Sequence, residues 1–417
     1  LKEKLLYFTE GSQNSGLGQC GRNICRGLAK AGFDTFLIAW GYKLDEILNV
    51  DGYKIIPFGD HPPAPHSPFT LAQIYQQLNP IDCIITQGDT RILLPWWNQL
   101  KRPTSWINYP VIDGYVWDYE NTQTKWASNW VDFMKQADKT VAMSEFGAKV
   151  LKANGIDSTV IPHGVDTSLF TPFNDEQKQQ IRKQVGIPED AIVVGDVFKN
   201  MMRKVPDKFL QMLVMLRKKN PKIVGLLHTT IDQGEFNLGL FAKDYGLTPN
   251  KDIFFGQAGI EFGRMPVVFN VMDIFLHCGG IGEGFGLPVC ESMACGIPVV
   301  APKATTMPEI LDNGNTGVLF DVVHYPKTNV PVSFSSFNEI EFALPNIFDG
   351  VEEVLKLVNN PELRKDIGFK GRVRATEVYD WQIILPKWID VIKKVISPDL
   401  PPEWAALLEE GPKGETK

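Results

Sequence analysis

Short apolar runs alternate with amphipathic segments along most of this 417-residue chain, and the series runs twice. That alternation predicts parallel sheets covered by helices, because a strand buried on both faces reads as a continuous apolar run and each crossover returns through a helix. The first unit is plain: residues 5–9 a strand, 10–18 a polar loop containing glycine, 20–31 a helix with Ile24, Leu28 and Ala31 on its apolar side, and 33–39 the next strand. Further strands are predicted at 55–58, 83–86, 104–107, 139–142 and 159–161. After the polar segment 174–183 the series restarts, with strands at 192–196, 224–228, 252–255, 274–277, 298–301 and 317–320. The length exceeds what one hydrophobic core sustains. The expected fold is therefore α/β: two doubly wound, Rossmann-like domains, residues 1–170 and 171–380, facing one another across a cleft between the carboxyl ends of their strands. Residues 322–346, rich in Pro, Ser, Phe and Asn, lack a clean period and read as a surface insertion. Residues 381–397 form a last helix crossing back to the first domain, and 398–417 a mobile tail.

A net charge of -7 argues against a dedicated nucleic-acid binder, which needs a basic face. The six cysteines (Cys20, Cys25, Cys83, Cys278, Cys290 and Cys295) show no C-x-x-C pair, so reduced thiols and a cytoplasmic location are expected. The apolar start at residues 1–8 is too short for a signal-peptide core, and no later run reaches the roughly 18 apolar residues of a membrane helix. Trp96, Trp97, Trp106, Trp117, Trp126 and Trp130 cluster in the first half. Core packing accounts for most of them, with a groove for a sugar or lipid acceptor as the other role.

Residues 279–301 carry the densest chemistry. A glycine-rich loop, Gly279-Gly-Ile-Gly-Glu283-Gly-Phe-Gly-Leu-Pro, runs into a short helix that Pro288 can open and Gly296 can close. Bare backbone N–H groups at a helix N-terminus suit phosphate oxygens. Glu283 and Glu291 would repel a phosphate, so they make better acceptors for neutral hydroxyls. A ligand with both phosphates and hydroxyls, such as a nucleotide-sugar, satisfies both halves.

Other candidates sit where strands end. The loop with Gly16 and Gly18 lies between the first strand and helix; it lacks the third glycine of a dinucleotide fingerprint, and its plain alternative is a tight turn. Lys199, Arg203 and Lys204 follow the first strand of the second series, where a loop at the strand's end favours neutralising a pyrophosphate over merely covering a solvated helix face. Asp113 precedes Gly114 at the cleft edge, either activating an acceptor or simply shaping the turn. His163 fits a structural corner at the domain junction. His228 and His277 close apolar strands and read as satisfied structural residues. Glu309 is expected to cap the helix that follows it.

These residues together resemble the retaining glycosyltransferases of family 4, the group-1 glycosyl transferases of GT-B fold. Glu283-Gly-Phe-Gly-Leu-Pro, Glu291 and the close Ala-Cys-Gly-Ile-Pro-Val-Val-Ala look like the family's E-x7-E signature, and the junction Ile161-Pro-His-Gly-Val-Asp with Phe170 and Pro172 looks like its inter-domain motif. The resemblance covers nearly the whole chain outside 322–346 and the tail. It implies that Glu283 acts on hydroxyls of the donor sugar beside the reacting centre and that Glu291 binds the ribose. It implies too that Lys199 and Lys204 grip the pyrophosphate, where the family commonly has Arg then Lys. Gly16 and Gly18 would close over the phosphates, and the backbone of Gly284, Phe285, Gly286 and Leu287 would complete the cradle. The implied reaction moves a hexosyl unit from a UDP- or GDP-sugar with retention and needs no metal or other cofactor. The leaving diphosphate takes the acceptor's proton, so Asp113, the candidate base, need not be essential. The partners that follow are a nucleotide-sugar donor and a sugar, lipid or protein acceptor, with no nucleic acid and with peripheral membrane contact left open. A sugar-nucleotide epimerase, a sugar phosphorylase or a binding protein without turnover are the alternatives on the same fold.

Overall fold

The computed structural model describes residues 2–11, 15–41, 46–58, 71–90, 93, 104–114, 128–256, 259–324, 326, 333–335 and 341–397. Trp96, Trp97, Trp117, Trp126 and the tail 398–417 lie outside the described residues.

The first series forms one sheet from β1 (Lys4–Glu10), β2 (Asp34–Trp40), β3 (Leu48–Val50), β4 (Tyr53–Phe58), β5 (Cys83–Gly88), β6 (Ser105–Pro110), β7 (Lys139–Ala142) and β8 (Thr159–Val160). Its order is β3-β4-β2-β1-β5-β6-β7-β8, with only β3 antiparallel to its neighbour. That edge strand is only three residues long, with Leu48 and Val50 half-buried on either side of exposed Asn49, so it leaves no apolar run to read. A tight turn makes it, with Asp51 at φ 49° and Gly52 at φ 87°.

The second series, β9 (Ile192–Val197), β10 (Ile223–His228), β11 (Ile253–Gly256), β12 (Ile274–Leu276), β13 (Val299–Pro302) and β14 (Val318–Phe320), forms a six-stranded parallel sheet in the order β11-β10-β9-β12-β13-β14. This is the doubly wound 3-2-1-4-5-6 order, and its direction reverses between β9 and β12. The carboxyl ends of those two strands are therefore neighbours, although some eighty residues separate them; Phe275 pairs with Gly195. A ligand crevice is expected at that reversal.

One hydrophobic core runs through both halves. It joins Tyr7, Ile85 and Tyr109 of the first sheet to Val193 of the second and to Val289 and Ala294 of the helix Leu287–Ala294, by way of Phe170, Ile384 and Trp388. The helix Trp381–Ile396 supplies the last two. It lies back on the first half: Trp388 meets Tyr109 edge to face at 4.9 Å, and Ser105 donates to the Val395 carbonyl at 3.3 Å. Among the described residues no helix is long and apolar enough to cross a membrane.

Residues 322–346 correct the expected surface insertion. Two short antiparallel strands, β15 (Ser333–Ser335) and β16 (Glu341–Ala343), stand there, and Val322, Phe342 and Ala343 are buried. The Phe342 ring lies so close behind Gly282 that a β-carbon on that glycine would meet it at 2.6 Å. The segment's aromatic residue thus props up the glycine-rich loop from beneath.

Candidate functional site

The loop leaving β12 makes a 3-10 turn over Cys278–Gly282, passes Glu283 in extended conformation and enters the helix Leu287–Ala294. Gly286, at φ 100°, is the N-cap, and a β-carbon there would meet Met307 at 2.9 Å. Only glycine takes that turn without strain. Thr305 and Thr306 fasten the loop from β13's side, donating to the carbonyls of Gly280 (2.6 Å) and Phe285 (2.9 Å).

Glu283 is buried at 6% exposure and is the hub of the cluster. Its Oε1 is paired with Lys204 Nζ and lies 3.0 Å from His277 Nε2. Arg203 Nη1 stands 3.7 Å from its Oε2 and also donates to the Gly282 carbonyl. His277 Nδ1 lies 2.9 Å from Asp196 Oδ1, and both residues are fully buried. Burial, reinforced by the neighbouring Arg203 charge, holds the Lys204 amine well below the usual lysine range, while Asp113 and Asp196 pull it the other way.

Glu291 is buried one helical stretch further on. Burial pushes its carboxyl up to about 8. Among the described residues no hydrogen bond or ion pair reaches it. A buried carboxyl without donors is costly unless a ligand supplies them.

The first half of the chain reaches this loop at two places and the short helix Met307–Ile310 at a third. Asp113 Oδ1 accepts the Gly284 N–H at 3.0 Å, its Oδ2 lies 3.9 Å from Arg203, and a β-carbon on Gly284 would crowd that carboxylate. Gly16 lies against Leu287, with 3.1 Å between its β-carbon position and the leucine side chain. Gly18 sits one turn on, its N–H capped by Ser15 Oγ at 3.0 Å. Thirdly, Glu309 accepts the N–H groups of Glu145 (3.1 Å) and Phe146 (2.9 Å).

That last contact corrects the expectation for Glu309. It caps a helix, but the one at Glu145–Ala153 in the other half rather than its own. Lys199 is also placed differently from its sequence partner: it is exposed, and the basic residues gathered on Glu283 are Arg203 and Lys204. His163 takes the structural corner expected of it, buried with Nδ1 2.8 Å from Tyr109 Oη, and burial pushes it down to about 3. No hydrogen bond among the described residues joins His228 to the cluster. Sequence reasoning passed over Asp196 and took His277 for structure alone. Only the strand order, which sets the ends of β9 and β12 side by side, could have paired them.

Two facing Rossmann-like halves, with a buried acidic and basic cluster at the switch point of the second, define a protein of the GT-B class. The family model described as Glycosyltransferase Family 4 matches residues 14–169, and the one described as Glycosyl transferases group 1 matches residues 177–326. The chain belongs to the group 1 glycosyl transferases of family 4. Among curated proteins it is similar to a D-inositol 3-phosphate glycosyltransferase of Stackebrandtia nassauensis, 29% identical over 196 residues, which is 44% of this chain and 43% of that protein. The chain thus spans about half the length of the curated relatives it matches. Among solved structures it is similar in fold to sucrose-phosphate synthase from Thermosynechococcus elongatus, with TM-score 0.73, 16% identity and coverage of 94% of this chain and 99% of that one. It is similar also to the Anabaena protein Alr3699/HepE, solved in complex with UDP and glucose, with TM-score 0.70, 15% identity and coverage of 94% and 100%.

Proposed function

We propose that this protein is a retaining glycosyltransferase that moves a hexosyl unit from a UDP- or GDP-sugar to an acceptor hydroxyl without a metal. The observation that carries the reading is the pair of buried glutamates flanking one helix N-terminus, Glu283 gripped by Lys204 and the Glu291 carboxyl without a partner among the described residues. An E-x7-E loop of this kind offers backbone N–H groups to a diphosphate, one carboxylate to the sugar and one to the ribose. Arg203, Lys204 and the exposed Lys199 supply the positive charge that a metal would otherwise bring to the leaving diphosphate. A diphosphate so held takes the acceptor's proton as its bond to the sugar breaks. Asp113, already accepting the Gly284 N–H, then serves to hold the two halves together beside the reacting centre. The likeness to a protein that holds UDP and glucose supports a nucleotide-sugar donor. The likeness to an inositol-phosphate glycosyltransferase supports a polyhydroxyl acceptor. Six free, buried thiols fit the reducing cytoplasm.

The test is release of UDP or GDP from a panel of donor sugars, with and without acceptors, in the presence of a chelator. Acceptor-dependent release with an axial product from an axial donor bond is expected. Glu283→Gln, which keeps the side chain's shape, is expected to lower that release at least about 100-fold, the scale of losing an electrostatic contact to the reacting centre. Near-native release by this variant would remove Glu283 from the role.

A further inference from the structure

We propose that Asp196 and His277 are a positioning pair that keeps the Glu283 carboxylate partnered, and so in place, when a nucleoside diphosphate draws Lys204 away from it. The inference rests on the function proposed above. Without ligand, Lys204 Nζ and His277 Nε2 meet the same oxygen, Glu283 Oε1. The lysine is therefore committed to a carboxylate at the spot where a phosphate would need it. Gly279 packs directly on its stem, where a β-carbon would meet Lys204 Cδ at 2.9 Å. A lysine that turns toward a phosphate leaves a buried carboxylate behind, and removing one partner of a buried ion pair is strongly unfavourable unless another partner stays. Arg203, 3.7 Å from the other oxygen and already donating to the Gly282 carbonyl, is a poor substitute.

His277 fills that need because it cannot follow. Its two ring nitrogens face the two carboxylates, Nδ1 toward Asp196 and Nε2 toward Glu283. Asp196 fixes the ring from behind at 2.9 Å, and its Oδ1 also accepts the Val197 N–H at 2.8 Å. Both residues grow from adjacent strand ends of one sheet, whereas Lys204 lies outside it, on the 3-10 turn Met202–Lys204. The pair acts through Glu283, as a second shell of donors acts through a metal ligand. It lets one lysine serve first as counter-ion to Glu283 and then as counter-ion to phosphate.

The readout is calorimetric affinity for UDP and GDP. Wild-type protein is expected to bind at least one of them. His277→Ala leaves Glu283 dependent on Lys204 and is expected to weaken that binding about tenfold or more. Adding Glu283→Gln in the same chain removes the charge that holds the lysine, and is expected to bring the affinity back to the wild-type range. His277→Gln, whose amide can still donate to Glu283, is expected to lose less than the alanine variant, and Asp196→Asn to weaken binding in the same direction. A merely structural role predicts that the double variant binds no better than His277→Ala. That result, or unchanged affinity in His277→Ala, overturns the pair. A wild-type protein that binds neither nucleotide overturns the proposed function and this inference with it, and is told apart because it needs no variant to see.

Discussion

Glu291 shows how much one residue's surroundings add to its place in a motif. Its carboxyl, held up at about 8 by burial alone, binds a proton in the folded chain that it releases near 4.5 once unfolded. The folded state therefore holds more protons than the unfolded one between those two values, so this group lowers stability as pH rises from about 4.5 to about 8. Glu291→Gln is neutral at every pH and is expected to remove that downward slope. Thermal midpoints of both proteins at intervals from pH 4.5 to 8 check it, and parallel curves would contradict the burial argument. Glu283 departs from its neighbour in the opposite sense. Lys204, His277 and Arg203 all converge on it. Both glutamates stood out in the sequence because their spacing around a glycine-rich helix start is a local pattern. The groups that hold them were not, because Asp196 and His277 become neighbours only through strand order. Lys199 and Arg203 show the same limit: a spacing counts residues, and the 3-10 turn Met202–Lys204 decides which cation faces inward.

At the scale of elements, the periodicity of apolar residues resolved nearly every buried strand, since burial on both faces leaves a continuous run. It missed β3, which is three residues long and only half-buried. It also missed the return of Phe342 and Ala343 to the core, because two short strands within a Pro- and Ser-rich stretch leave no period to read. Close approaches between elements are equally silent in sequence. The helix Pro361–Val378 crosses the end of the motif helix at Gly368, where a β-carbon would overlap the Gly296 carbonyl. Gly296 in turn needs its left-handed φ of 70° to end that helix. Gly368→Ala sets two effects against each other. Alanine favours a helix interior by about 1 kcal/mol over glycine. The clash falls on backbone that cannot swing aside, and overpacking of this kind costs about 1 to 3 kcal/mol or more. A net loss of stability is expected, read as a lower denaturant midpoint, and a gain would show that the two helices can separate without cost.

At the scale of the whole molecule, two carboxylates of opposite origin hold the halves together across the cleft. Asp113, from the first half, accepts the Gly284 N–H at the rim of the site; Glu309, from the second, accepts two N–H groups at the start of the helix Glu145–Ala153. Arg374 steadies the second contact by donating to the Glu309 carbonyl at 2.6 Å. On the far side the helix Trp381–Ile396 and the Val165 bridge to Asp380 join the halves more firmly, through buried Trp388 and Ile384. If the halves move, this junction is the natural hinge and the two carboxylates the latch. Each latch contact is a helix-end or loop N–H bound to a carboxylate, worth about 1 kcal/mol. The core that crosses the hinge is far larger, so losing both contacts should open the cleft without unfolding either half. Asp113→Ala with Glu309→Ala is therefore expected to raise the radius of gyration in solution scattering while moving the thermal midpoint by only a few degrees. An unchanged radius would mean that the apolar core alone sets the angle between the halves. If the cleft opens as expected, saturating donor should shrink the wild-type radius little and the variant's more, because only the variant has closure left to gain.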